Sequence, residues 1–215
     1  KMFAEALEDF GTAIKINPDN GLPYFLRSMV RYELKNYRGA LNDLDSVIAI
    51  NPTNSLAYYN RAILNSEIGA DNAAIKDYTK VLEINNDNVI AWFNRGILLH
   101  QSGNLKAAIQ DYSKAINLYD NLYYAYLNRA EAYMKLNENL KANADLLKAQ
   151  KIKGKNKDAY SDSSKFKSLI KFDQNFNKSD QLFSLNRAFL HTNNTKIMPQ
   201  IFIDNYFDSL SNNYH

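Results

Sequence analysis

No cysteine occurs anywhere in the 215 residues. Disulfides, thiol nucleophiles and zinc–cysteine centres are thereby excluded. Glycine and proline are scarce, at 7 and 4, which disfavours a turn-rich β architecture and favours long helices joined by few turns. No run of 18 apolar residues is present, so the sequence offers no transmembrane span. A large charge of one sign is also lacking. Residues 1–150 hold 16 Lys and Arg against 17 Asp and Glu, and residues 151–215 hold 10 against 6. Neither portion is basic enough to demand a nucleic-acid partner. His100, His191 and His215 stand far apart with no partner pattern. Gly-rich phosphate loops, nucleophile elbows and paired metal spacings are missing. No cofactor, no metal and no enzymatic activity are expected.

What the chain has is apolar content and a period. Hydrophobic residues make up 46%, enough for a substantial core. Four blocks, 21–54, 55–88, 89–122 and 123–156, align without a gap at a period of 34. Their fourth position is always aromatic: Tyr24, Tyr58, Trp92 and Tyr126. Their twentieth is always Ala (Ala40, Ala74, Ala108, Ala142) and their twenty-third always Asp. Residues 1–20 fit the second half of the same block through Phe3, Ala6, Asp9, Phe10 and Ala13. Within block 55–88, apolar residues recur at helical spacing on either side of Gly69, which sits where a helix C-cap belongs. The Asn-rich end at Asn85–Asn88 stops the second helix and can cap the next. Each block therefore reads as two antiparallel helices, and only stacking buries both apolar faces.

This pattern resembles the tetratricopeptide repeat family. The aromatic, small, Ala, aromatic and Ala positions appear in order over residues 1–154, and Pro18 and Pro52 fill the closing Pro position. Asn86, Asp120 and Gly154 replace that Pro in later blocks. The resemblance implies an all-α, right-handed superhelical solenoid with a concave groove lined by the first helices. It also implies a non-enzymatic scaffold that binds a peptide or partner protein through hydrophobic anchors. Ligand contacts are implied at the second position (Ile90, Tyr124), the fifth (Phe25, Tyr59, Phe93) and the sixth (Asn60, Asn94, Asn128). The ninth (Ile63, Ile97) and the twelfth (His100) complete the set. Family members that clamp acidic chaperone C-termini carry Lys and Arg in the groove. Here the second and fifth positions are Leu, Ile, Tyr and Phe, so that function is not expected.

The seventh position is always Arg: Arg27, Arg61, Arg95 and Arg129. The twenty-third supplies Asp43, Asp77, Asp111 and Asp145. These charges favour structural ion pairs over a ligand-binding row, because an Asp recurs with every Arg. Two pairings fit the spacing: Arg61 with Asp77 of its own block, or Arg61 with Asp43 of the block before.

After Ile152 the chain changes character. Residues 153–157 form a basic, turn-prone linker. Residues 157–215 are expected to be a helical cap or a degenerate repeat, with helices near 158–172 and 179–191. For the residues beyond, a partner helix beginning at Pro199 and a short strand at Gln200–Asp204 are rival readings. This tail is alternatively a detachable segment that lies in a groove of its own or a neighbouring molecule. Beginning in mid-block, the chain reads as a fragment of a longer protein, so no leader is legible. Asn-, Lys- and Tyr-rich usage suits an AT-rich bacterial genome, which leaves cytoplasm or periplasm open. Two further roles stay open as well: the targeting arm of an enzyme with its catalytic domain elsewhere, and a self-association module.

Overall fold

The computed structural model describes residues 2–155, and all nine elements among them are α-helices. The expected cap or degenerate repeat at 157–215, its alternative strand, and His191 and His215 lie outside the described residues. Helix α1 spans Met2–Ile16, α2 Gly21–Glu33, α3 Tyr37–Ile50, α4 Ser55–Glu67 and α5 Asp71–Ile84. Next come α6 Val89–Gln101, α7 Leu105–Leu118, α8 Tyr123–Lys135 and α9 Asn139–Lys155, which carries helix through Lys153, Gly154 and Lys155, where a turn-prone linker was expected. Each helix packs mainly on its neighbours in sequence, which makes an all-α helical repeat solenoid.

The helix ends are set by local chemistry. Asn20, Asn54 and Asn88 close successive blocks, and each side chain accepts a hydrogen bond from the first turn of the next helix. Such a cap is worth about 1 kcal/mol. Leu122 takes the same position before α8 and makes no side-chain cap. It is buried among Phe93, Tyr112 and Tyr126 instead. The turn inside each helix pair needs one left-handed residue, at the fifteenth position. It is Gly69 at φ +76° and Gly103 at φ +81°, but Lys35 at φ 58° and Asn137 at φ 60°. Behind it the chain closes a wide turn, as in Ala70 N–H to the Asn65 carbonyl and Asn104 N–H to the Leu99 carbonyl, both 2.8 Å.

Three apolar clusters run along the array, and each is closed by the next pair's first helix. One joins Phe25, Leu44 and Val47 to Leu56 and Leu64. The second joins Tyr59, Tyr78 and Val81 to Ala91 and Leu98. The third joins Phe93, Tyr112 and Ile116 to Tyr126 and Ile152. Ala40, Ala74, Ala108 and Ala142 are all at most 1% exposed, so two helix backbones approach closely there and a larger side chain would overpack the contact.

Candidate functional site

The seventh-position arginines hold the helix pairs together. Arg61 donates from Nε to Asp77 at 2.9 Å and from Nη2 to the same carboxylate at 2.6 Å. Arg95 repeats this with Asp111 at 2.8 and 2.9 Å, Arg129 with Asp145 at 2.8 and 2.7 Å, and Arg27 with Asp43 at 3.0 and 2.7 Å. Of the two pairings open in the sequence, the structure has the one within a block. The four carboxylates are buried, so a fixed planar fork is the donor best suited to satisfy both oxygens of each. The hydrogen bonds to Asp43 and Asp77 push the pKa of Arg27 and Arg61 up against the cost of burial. Burial acts most strongly on Arg129, yet Asp145 leaves its pKa raised.

Two further contacts of these arginines were not read from the sequence. Each guanidinium lies over the fourth-position aromatic ring of its own helix, from 4.8 Å for Arg95 over Trp92 to 5.6 Å for Arg27 over Tyr24. The remaining nitrogen, Nη1, reaches back to the preceding block. Arg61 finds Asp45 at 2.6 Å, Arg95 the Thr79 hydroxyl at 3.0 Å, and Arg129 the Ser113 hydroxyl at 2.8 Å. All three acceptors hold the twenty-fifth position, 16 residues before the arginine, so the signal was present in the period. Gly11 holds that place before Arg27 and Leu147 holds it in the last block, so neither offers a side-chain oxygen.

The first helices of successive blocks lie side by side. Tyr32 on α2 donates its hydroxyl to Glu67 on α4. Asn94 on α6 donates to the Tyr59 hydroxyl on α4 at 3.4 Å and to the Tyr78 hydroxyl on α5 at 3.2 Å. His100 Nε2 on α6 lies 3.0 Å from the Lys135 ammonium on α8, which also pairs with Glu131 at 2.9 Å. Burial and then the Lys135 charge hold the His100 pKa below its ordinary value, while Glu131 opposes them. The hydrogen bond from Lys135 lowers the pKa of Glu131.

The residues assigned to a groove divide into two sets. Phe25, Tyr59, Asn60, Ile63 and Phe93 are buried. Ile90, Asn94, Ile97, His100, Tyr124 and Asn128 keep part of their surface. The three asparagines do not form a uniform row. Asn60 turns its amide to the Leu56 carbonyl of its own helix, at 2.9 Å. Asn94 bridges two tyrosines. Asn128 stands at the equivalent place beside Tyr112, whose pKa burial raises and Asn128 draws back down. The contact falls short of a normal hydrogen bond, and among the described residues the fully buried Tyr112 hydroxyl has no hydrogen-bond partner. Among the described residues no group of three His, Asp or Glu is placed to hold a metal, and no helix is long and apolar enough to cross a membrane.

Comparison with known proteins places this architecture. Residues 89–122 match the family model described as Tetratricopeptide repeat, and residues 66–103 match the one described as TPR repeat. No curated protein matches in sequence. Among solved structures, a crystal structure of MamA is 22% identical with a TM-score of 0.67, covering 71% of this chain and 90% of its own. MamA from Desulfovibrio magneticus RS-1, residues 41 to the end, is 16% identical with a TM-score of 0.65, covering 71% and 86%. BtubC from P. vanneervenii is 15% identical with a TM-score of 0.57, covering 64% and 65%. At these identities the structures are similar to this chain in fold. The fold and the repeat matches together are those of a protein-interaction scaffold.

Proposed function

We propose that this tetratricopeptide repeat protein is a non-enzymatic scaffold that takes a peptide segment of a partner on the inner face formed by α2, α4, α6 and α8. The observation that carries the reading is the surface shared by α6 and α8. Ile90, Ile97 and Tyr124 are partly buried there and keep some surface beside Asn94, His100 and Asn128. Aliphatic and aromatic surface gives contact area with few rotors to freeze, and amides satisfy a peptide backbone in both directions. A segment with hydrophobic anchors, extended or helical, is the ligand class this combination fits.

The test uses the full chain and a displayed library of random peptides. Selected peptides should carry apolar anchors. Their affinity should fall by about tenfold or more, or roughly 1.4 kcal/mol, in Ile97→Lys and Tyr124→Ala, with circular dichroism unchanged. Asp45→Ala, on the other side of the array, should bind as the parent does. Peptides that bind the parent and both inner-face variants equally would remove the groove from the reading.

A further inference from the structure

We infer that copies of this chain join end to end, with the exposed face of α1 in one copy lying antiparallel on the exposed face of α9 in the next. This goes beyond peptide capture and does not depend on it. Helices α1 and α9 are the first and last of the described helices, and each packs mainly on a single neighbour, α2 and α8. On α1, Phe3, Leu7, Phe10 and Ile14 share the partly buried side. Glu5, Glu8, Thr12 and Ile16 share the opposite, exposed side, with Ile16 79% exposed. On α9, Ala142, Asp145, Ala149 and Ile152 form the buried side. Leu140, Ala144, Lys148 and Lys151 stand exposed opposite them, with Leu140 88% exposed. The two helices also differ in charge. Helix α1 holds Glu5, Glu8 and Asp9 against Lys15. Helix α9 holds Lys141, Lys148, Lys151, Lys153 and Lys155 against Asp145, which Arg129 already holds.

Set antiparallel, the two exposed stripes match rung by rung. Glu5 meets Lys151, Glu8 meets Lys148, Thr12 meets Ala144 and Ile16 meets Leu140. Both stripes run over the same length, about 16 Å of helix at 1.5 Å per residue. Ion pairs hold one end of the contact and an apolar pair holds the other. The charges are available for it. Among the described residues Glu5, Glu8 and Lys151 make no ion pair. Lys148 lies 6.0 Å from the Tyr126 ring centroid, at the outer limit of a cation–π contact. Symmetric pairings lack this match. Two α1 faces would set Glu5 and Glu8 against their own copies, and two α9 faces would set Lys148 and Lys151 against theirs. The favoured contact is therefore heterologous, and a heterologous contact propagates from copy to copy. One helix laid on one helix is a small interface, so the association is transient, grows with protein concentration and weakens with salt. The contact leaves the inner face of α2, α4, α6 and α8 open. Each added copy repeats that face, so a partner with several binding segments gains avidity.

The test is sedimentation velocity on the full chain over a range of protein and salt concentrations, with two charge-reversed variants. Glu5→Lys with Glu8→Lys makes both contact stripes basic, and Lys148→Glu with Lys151→Glu makes both acidic. The average mass of the parent should rise with concentration past that of a dimer and fall as salt is added. Each variant alone, with circular dichroism unchanged, should stay monomeric where the parent associates. An equal mixture of the two should regain the parent's average mass, because every contact then joins unlike chains. A parent that remains monomeric up to about 1 mM, where even a contact with a millimolar Kd is half formed, overturns the inference. So does association that stops at two copies, that ignores salt, that survives in either variant alone, or that fails to return in the mixture. None of the four substituted positions lies on the inner face, so displayed peptides that still bind there would leave the groove standing while the end-to-end contact falls.

Discussion

The Tyr112 ring covers Gly96 so closely that a Cβ on Gly96 would lie 2.8 and 2.9 Å from two ring carbons. The equivalent residues of other blocks are Ser28, Ala62 and Ala130, so only this block needs the smallest side chain. Tyr112 is fully buried and in contact range of Phe93 and His100, which leaves it no room to yield. Gly96→Ala gains about 1 kcal/mol of helix propensity but overpacks a closed site at a cost of about 1–3 kcal/mol. Urea denaturation should show a net loss. A more stable variant would mean that the ring moves aside.

Lys35 and Gly69 occupy the same turn position in successive blocks, both left-handed. A side chain there costs about 1–2 kcal/mol that glycine does not. Glycine gives part of this back through a freer unfolded chain. Lys35→Gly should therefore stabilise by about 0.5 kcal/mol and Gly69→Ala destabilise by about 1 kcal/mol. Two changes of the same sign would refute the shared geometry.

Arg61 has one buried and one exposed carboxylate partner. Asp77 accepts two of its hydrogen bonds and a third from Asn65 at 3.2 Å. Asp45 is 57% exposed in its side chain. Asp77→Ala leaves the cation and the amide short of their acceptor and should cost about 3 kcal/mol. Asp45→Ala should cost less than about 1 kcal/mol, and less still at high salt. Equal losses would mean that burial does not separate the two contacts.

His100 gives the fold a mild acid sensitivity. Its pKa in the folded chain is held below the ordinary 6.5, so the unfolded chain binds the proton more readily. The stability it contributes is complete above the unfolded pKa and is lost as pH falls through the window beneath 6.5. Melting temperature should drop between pH 7 and pH 5 by less in His100→Gln than in the parent. Glu131, whose pKa is also lowered, adds its own loss only below its ordinary 4.5. Parallel slopes would assign the sensitivity elsewhere.

Much of the fold is legible in the period. Gly69 and Gly103 mark the inner turns, Asn54 and Asn88 mark the helix starts, and both act within a few residues of themselves. Lys35 is harder to read, because nothing in a lysine signals a left-handed turn until its block is laid over one with glycine. The candidate site is legible to a lesser depth. Aromatic and asparagine residues on one helix face are visible as a pattern. The bond from Asn94 to Tyr59 and Tyr78, against the turn of Asn60 to its own backbone, depends on side chains from three helices meeting at a few ångströms.

The sequence by itself determined the repeat, the helix pair within it, and the residue types carried at each step, because period and capping are properties of the chain alone. Only the tertiary structure decided that Arg61 takes Asp77 rather than Asp43, that its third nitrogen reaches Asp45, and that Ile97 and Tyr124 keep surface while Ile63 does not. Those choices depend on the distance and rotation between neighbouring helices, which spacing along the chain does not encode.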